Sequence, residues 1–428
     1  MINSIRGFND ILPPETSIWQ HIEKEAREIF ETYGFSEIRV PLVERTGLFS
    51  RSIGETTDIV EKEMYTFLDK GGESITLRPE GTAPVVRAYI EHKLYASDPV
   101  AKLYYLGPMF RYERPQKGRF RQFYQIGAEA FGIDDPMIDA ETLEMLVSLF
   151  QRLKLEGVIL NINSLGCKEC RPLYKEKLIN FLKDKKPGLC QDCQRRFEIN
   201  PLRALDCKSK TCIELTSLAP SLLDSICEGC KTHFEKVKEH LSLYKIDFHL
   251  NPRMVRGLDY YVRTTFEITA EGLGSQNAVA AGGRYDGLVK DIGGPDVPGF
   301  GFAIGMERLV MLVKGQRQEA EGMGQGLVFM AMLGEKAEKA AIPLMKTLRS
   351  NGIRLERDYG SKSIRSQMRR ADKLGAKIVL ILGDDELASH SITVKDMESG
   401  EQEKVPFEKV EEKIRALLTE RQKVMSKQ

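Results

Sequence analysis

Phe110-Arg111-Tyr112-Glu113-Arg114-Pro115-Gln116-Lys117-Gly118-Arg119-Phe120-Arg121-Gln122-Phe123 sets five cations and one carboxylate on a strand, a loop containing Pro and Gly, and a second strand. Guanidinium forks match phosphate oxygens because two parallel N–H donors meet two acceptors, so a loop carrying several of them can neutralise a polyphosphate. Charge alone is equally compatible with a solvated basic hairpin. The segments on either side decide between the two.

Upstream, Ile18, Ile22, Ala26, Ile29 and Phe30 recur at helical spacing after Pro13-Pro14, which predicts a helix over 15–33 that Gly34 ends. Runs at 37–40, 74–77, 103–106 and 120–126 predict strands, with helices over 79–92 and 137–153 between them. That pattern predicts an α+β fold whose strands pair mostly antiparallel. From Cys167 to Tyr244 the pattern changes to lysine-rich helices punctuated by cysteine pairs, and β character returns at Val255 and at Thr265–Thr269. A helix opens near Ile304 and runs through Leu312. The glycine-rich stretch Gly315–Gly326 reads as a linker. Beyond it, strands at 327–333, 353–356 and 377–382 alternate with a helix through Leu348 and another over 363–374, before a hairpin and a last helix. The expected division is a core at 1–165 and 246–315 interrupted by a Cys-rich insertion at 166–245, a linker at 316–326, and an α/β domain at 327–428.

A chain of 428 residues, 42% hydrophobic, can bury the cores of two or three domains. A net charge of +1 leaves any nucleic-acid contact to local clusters. The start, Met1 to Gly7, has no apolar signal region, and no apolar run approaches the roughly 18 residues of a membrane span, so a cytoplasmic location with no membrane partner is the expectation. A Gly-x-x-x-x-Gly-Lys-Ser/Thr loop and a His-Glu-x-x-His pair are both missing, which excludes a P-loop NTPase and that type of metalloprotease. Gly299, Gly301 and Gly305 have the wrong spacing for a dinucleotide fingerprint.

Phe110-Arg111-Tyr112-Glu113 resembles the second motif of class II aminoacyl-tRNA synthetases, and Gly301-Phe302-Ala303-Ile304-Gly305-Met306-Glu307-Arg308-Leu309 resembles the third. Arg39-Val40-Pro41 is similar to the first, whose proline lies at a dimer interface. Arg256-Gly257-Leu258-Asp259-Tyr260-Tyr261 and Ala280-Ala281-Gly282-Gly283-Arg284-Tyr285-Asp286 resemble the two signatures of the histidine-specific members. With Leu77-Arg78-Pro79-Glu80-Gly81-Thr82 they stand in that family's order, from Ile5 to the C-terminal helix.

The resemblance implies an antiparallel-sheet catalytic core, a C-terminal anticodon-binding domain and a homodimer. It implies that the enzyme joins L-histidine to tRNA(His) with ATP and Mg²⁺ through a histidyl adenylate. Arg111 and Arg256 would hold the α-phosphate from opposite sides, Glu113 the adenine amino group, and Arg308 the γ-phosphate, making Arg111, Arg256 and Arg308 the catalytic set. Arg119 and Arg121 are further phosphate ligands by the same resemblance. Glu80, Thr82 and Gln125 would hold the α-amino end of histidine, while Glu129 and Tyr261, with Tyr260 alongside, would read its ring. Without the family context, Tyr260-Tyr261 reads as two core aromatics with satisfied hydroxyls. Attack by an already ionised carboxylate needs no general base, so catalysis is alignment plus charge neutralisation. Arg365, Arg369, Arg370 and Lys373 lie mostly along one helical face, which is either solubilising or, by resemblance, set against tRNA phosphates.

All eight cysteines lie between Cys167 and Cys230. Cys167, Cys170, Cys190 and Cys193 read as C-x2-C-x19-C-x2-C; Cys207, Cys212, Cys227 and Cys230 read as C-x4-C-x14-C-x2-C. Both suit structural zinc, and pairing in sequence order is the expectation. The alternatives are free buried thiols or one metal site with spare cysteines; disulfides are disfavoured in a reducing compartment. Two other functions compete: a catalytically silent regulatory subunit of ATP phosphoribosyltransferase built on the same core, and a zinc-stapled RNA-binding protein.

Overall fold

Gln122–Phe131 and Gly299–Gly305 pair antiparallel, from Gly299 opposite Phe131 to Gly305 opposite Gln125, inside the largest sheet of the fold. In this computed structural model, residues 2–425 are described except 55, 56, 199, 208, 272, 274–276, 317–325 and 361. The chain divides into two compact units, Met1–Glu319 and Ala320–Gln428. The linker expected at 316–326 falls almost wholly outside the described residues.

The strands of the first unit are β1 (Ser36–Glu37), β2 (Val43–Arg45), β3 (Tyr65–Leu68), β4 (Ser74–Leu77), β5 (Ala101–Phe110), β6 (Gln122–Phe131), β7 (Val158–Ser164), β8 (His249–Leu250), β9 (Val262–Ala270), β10 (Ala278–Arg284) and β11 (Gly299–Gly305). Eight of them form one sheet in the order β1-β5-β6-β11-β10-β9-β7-β8, antiparallel except where β1 meets β5 and β7 meets β8. A small antiparallel sheet orders β2-β4-β3. The expected antiparallel α+β fold is the one observed. The basic stretch becomes the connection of the long β5–β6 hairpin, whose register sets Phe110 opposite Gln122.

The helix Glu15–Thr32 turns Ile18, Ile22, Ala26, Ile29 and Phe30 inward as their spacing predicts. The strand expected at 37–40 shortens to β1, which pairs with β5 over two residues. The helix expected from 79 begins at Thr82 because Pro79-Glu80-Gly81 form its entry, where the Glu80 carboxylate accepts from the backbone N–H groups of Thr82 (2.7 Å) and Ala83 (2.8 Å). Pro136–Arg152 forms a helix capped by Asp135, whose carboxylate accepts from Met137 N at 2.8 Å.

Between β7 and β8 the chain folds into the helices Cys170–Leu182, Gln191–Arg196, Lys210–Leu215 and Glu228–Leu243. Their buried side chains, among them Tyr174, Leu178, Leu182, Phe197 and Leu205, run into one apolar cluster with Tyr260, Tyr261 and Tyr285. The Cys-rich segment therefore has no separate core.

In the second unit β12 (Val328–Met332), β13 (Leu355–Arg357), β14 (Ile378–Leu382), β15 (Ser391–Asp396) and β16 (Gln402–Pro406) order as β13-β12-β14-β15-β16. The first three are parallel and the rest antiparallel. Helices Glu335–Ser350, Ile364–Lys373, Asp384–Ala388 and Val410–Met425 complete it. Among the described residues, no helix is long and apolar enough to cross a membrane.

Candidate active site

The faces of β6, β9, β10 and β11 and the hairpin connection enclose a cavity of about 400 Å³. Glu80, Thr82, Arg111, Glu113, Arg119, Gln125, Arg256, Tyr260, Tyr261 and Arg308 all line it. Residues separated by more than 200 positions in sequence are brought together because the hairpin connection, the Arg256–Tyr261 turn and the first turn of the helix Met306–Gln316 all border the cavity. Two sequence-derived candidates stand outside the lining. Glu129 lies fully buried just behind it, and Arg121 turns back along the N-terminal segment.

Arg111 follows the last residue of β5. Its Nε donates to the Pro79 carbonyl at 2.8 Å and its guanidinium stacks 5.2 Å from the Phe123 ring centre. Arg308 sits in the first turn of Met306–Gln316, donating from Nη1 to the Ala278 carbonyl at 2.6 Å. Burial lowers the pKa of both guanidinium groups, and for Arg308 the charge of Arg111 adds to that effect. Two like charges facing one cavity attract an anion between them.

Arg119 is ion-paired with Glu113, and Arg256 with Glu267. The Arg256 guanidinium also lies 5.9 Å from the Tyr261 ring centre. Arg256 Nε and Gln125 Oε1 are buried without a hydrogen-bond partner among the described residues. Such orphaned polar atoms carry a desolvation cost that a polar ligand removes. Arg121 is committed elsewhere: its guanidinium lies 3.9 Å from the Tyr112 ring centre, and its Nε donates to the Glu113 carbonyl at 3.2 Å.

Glu129 accepts from Thr82 Oγ1 at 2.6 Å and from the Tyr285 hydroxyl. Burial raises its pKa to about 8, with those two donors opposing the rise. Gly301, opposite Glu129 in the β6–β11 register, leaves room for this carboxylate; a Cβ there would overlap Glu129 Oε2. Glu80 is likewise pushed upward by burial, against the two helix N–H groups it caps.

Sequence reasoning missed several residues that shape the cavity. Glu267 and Glu307 line it, and Glu307 accepts from Tyr124 N at 2.9 Å while burial lifts its pKa to about 7. Tyr285 and Arg284 were inside a quoted motif, yet their partners were not readable from it. Arg284 is fully buried and grips Asp139 from Nε at 2.9 and 3.2 Å; His233, from the helix Glu228–Leu243, meets the same carboxylate at 2.9 Å. Arg78 is buried too, donating to the carbonyls of Pro108 and Val40, each at 2.9 Å, so that it ties the Arg39–Pro41 segment to the hairpin. Asp206, from the Cys-rich segment, also lines the cavity, and no spacing pattern announced it.

The eight thiols gather into two quartets, but not in the expected partnership. Cys167 and Cys170 join Cys227 and Cys230, and Cys190 and Cys193 join Cys207 and Cys212. Pairing in sequence order is corrected because Cys170–Leu182 and Glu228–Leu243 bring the first and last pairs together, which nests the two middle pairs between them.

A cavity of this kind on a mostly antiparallel sheet, with arginines at the end of a long hairpin and on the helix that follows β11, defines a class II aminoacyl-tRNA synthetase core. Residues 7–309 match the family model for histidyl-tRNA synthetase, and residues 327–417 match the one for an anticodon binding domain. The histidine–tRNA ligase of Geobacter sulfurreducens is 58% identical over 407 residues, covering 95% of this chain and 98% of that one. That of Syntrophotalea carbinolica is 57% identical over 413 residues, covering 96% and 98%. The apo structure of S. aureus histidyl-tRNA synthetase superposes with a TM-score of 0.80 at 38% identity, covering 97% of this chain and all of that chain. The chain belongs to the histidyl-tRNA synthetase family.

Proposed function

We propose that this chain joins L-histidine to tRNA(His) in two steps at the cavity described above. The observation that carries the reading is the convergence of Arg111, Arg256 and Arg308 on one cavity that also holds Glu80, Thr82 and Gln125. In the first step a carboxylate oxygen of histidine attacks the α-phosphorus of ATP, the bond to the bridging oxygen breaks, and diphosphate leaves with the electron pair. In the second, a ribose hydroxyl at the tRNA terminus attacks the carbonyl carbon of the adenylate and AMP departs.

Arg111 and Arg256 hold the α-phosphate, and Arg308 the γ-phosphate. Fixed guanidinium groups in a water-poor site stabilise the charge that develops on the transferred phosphorus without reorganising. Glu113 accepts from the adenine amino group and Arg119 takes a phosphate oxygen, so their ion pair opens when ATP binds. The Arg256–Glu267 pair is exchanged in the same way. Arg121, held against Tyr112, fits a role in shaping the hairpin connection rather than a phosphate ligand. Mg²⁺ bound with ATP supplies further charge neutralisation, and Glu267 and Glu307 offer oxygen ligands of the type it takes.

Glu80, Thr82 and Gln125 serve the α-ammonium, for which Gln125 Oε1 is a ready acceptor. Glu129, Tyr260 and Tyr261 read the imidazole, whose two nitrogens each donate or accept. Zinc held by the cysteine quartets is structural in this reading.

Pairing of two chains is also part of it: Leu42, Val43, Phe67 and Leu68 are exposed on and beside the outer strands of the small sheet, next to Pro41. The reaction places the protein in the cytoplasm, where tRNA and ATP meet. Charging of tRNA(His) transcripts tests the proposal. Histidine and ATP should yield alkali-labile, acid-stable histidyl-tRNA and AMP in equal amounts; a folded protein that forms AMP without charging, or neither product, would refute it.

A further inference from the structure

The chain passes through the two thiol quartets in nested order, outer pair, inner pair, inner pair, outer pair. Within each quartet the four sulfur atoms lie within 4.8 Å of one another. In the outer quartet Cys167 Sγ is 3.4 Å from that of Cys170 and 3.9 Å from that of Cys227, and Cys170 is 3.8 Å from Cys230. In the inner quartet Cys190 is 3.7 Å from Cys207. A tetrahedral ion with metal–sulfur bonds of about 2.3 Å spaces its sulfurs about 3.8 Å apart. A disulfide would need about 2.05 Å. Each quartet also receives a backbone N–H: Cys227 N donates to Cys170 Sγ at 3.0 Å, and Cys190 N to Cys212 Sγ at 3.2 Å. Donors of this kind stabilise thiolate rather than thiol and orient it for an ion.

The inner quartet closes the stretch 194–206, and that stretch touches the active site on two sides. Arg203 Nη2 donates to the Gly257 carbonyl at 2.5 Å, and Asn200 Nδ2 donates to Asp259 Oδ1 at 3.1 Å. Gly257 and Asp259 lie in the turn that carries Arg256, Tyr260 and Tyr261. On the other side Arg196 meets Asp58 at 2.5 Å and Arg195 meets Glu61 at 3.1 Å, flanking Ile59, which lines the cavity. Asp206, the neighbour of Cys207, lines the cavity directly. The described part of the stretch is the end of the helix Gln191–Arg196 and a short turn at Pro201–Ala204, held by local backbone hydrogen bonds such as Asn200 N to the Arg196 carbonyl at 2.8 Å and by Phe197 and Leu205 in the apolar cluster, with no strand or long helix to fix it against the cavity. Ordering such a loop costs conformational entropy that a metal bound only to the folded form offsets.

We propose that the inner quartet binds a zinc ion which fixes the 194–206 wall of the histidine pocket, making histidine binding depend on that ion, while the outer ion ties the ends of the insertion together. The proposal rests on reading the cavity as the histidine site. It is tested on the full-length protein purified under reduction without added metal. Elemental analysis should give about two zinc ions per chain. The double variant Cys207→Ser with Cys212→Ser should lose one ion and raise the KM for histidine in ATP–diphosphate exchange by at least about 10-fold, with a smaller change in kcat. Its amides over 194–206 should exchange faster with deuterium. Cys227→Ser with Cys230→Ser should also lose one ion, with a smaller change in that KM.

Arg203→Ala is the second arm, because it keeps every thiol: two ions should remain while the histidine KM rises. Zinc-free, fully reduced wild-type protein would overturn the proposal. So would an inner-quartet variant that loses its ion yet keeps wild-type KM and amide exchange. Failure of the histidine reading looks different. The wild type would then show no histidine-dependent exchange, and the hold of the ion on 194–206 would be decided by amide exchange alone.

Discussion

Arg256 makes its only ion pair among the described residues with Glu267, and its Nε is buried without a partner, so it is poised to trade a carboxylate for a phosphate. Arg256→Ala is expected to cut histidine-dependent ATP–diphosphate exchange by on the order of 10²-fold or more. A thermal melt of the same variant should stay near wild type; normal exchange in a folded variant would show that Arg256 takes no part. Glu129 predicts a pH effect. Its pKa in the fold, about 8, lies above the ordinary 4.5. Between those values the folded ligand-free protein holds a proton that the unfolded chain has released, so Glu129 makes stability fall as pH rises across the interval. Glu129→Gln should flatten that slope in denaturation curves taken from pH 5 to 8, and an unchanged slope would place the titration elsewhere. At this scale the sequence named ten of the groups that line the cavity, missed Asp206, Glu267 and Glu307, and did not give the pairs they make. Arg119 with Glu113 follows from the hairpin, whereas Arg256 with Glu267, Glu129 with Tyr285 and Arg284 with Asp139 each need the sheet register or a helix packed across it. Arg121 shows the converse: its place in the basic run suggested a phosphate, and the neighbouring Tyr112 ring captured it.

Elements with strong periodicity were the legible ones. Glu15–Thr32 and the β5–β6 hairpin follow from spacing, because burial of one face dictates them. The start of the helix at Thr82 needed knowledge of Glu80 as its cap, and the short β1 depends on a partner strand far along the chain. The cysteine pairs gave ligand types and local spacing, but their partnership was set by helix packing over 60 residues, which no spacing rule contains. The helix Ile364–Lys373 buries Gln367 and Ala371 and leaves Arg365, Arg369, Arg370 and Lys373 exposed. An exposed cationic face, of which Arg370 reaches Asp358 at 3.9 Å, on a unit matching an anticodon-binding domain is suited to tRNA phosphates. Arg365→Ala with Arg369→Ala should raise the KM for tRNA and flatten its dependence on salt, each lost phosphate contact lowering the slope by roughly 0.7–0.9. Exchange activity should be unaffected. An unaltered tRNA KM would leave the face as a solubilising one.

At the scale of the molecule, two units with separate cores divide the work: the first carries the cavity and the thiol quartets, the second the basic helix. The core architecture was legible because the motifs lie on the strands and the helix that build the cavity, while the reach of the Cys-rich segment to that cavity was not, since Asp206 and Arg203 belong to no periodic pattern. The central claim is that this cavity activates histidine with ATP. Histidine-dependent exchange of labelled diphosphate into ATP by the full-length protein measures it most directly. The account predicts rapid exchange with L-histidine and none above background with the other amino acids. Folded protein that shows no exchange with histidine, or that exchanges equally well with another amino acid, would contradict it.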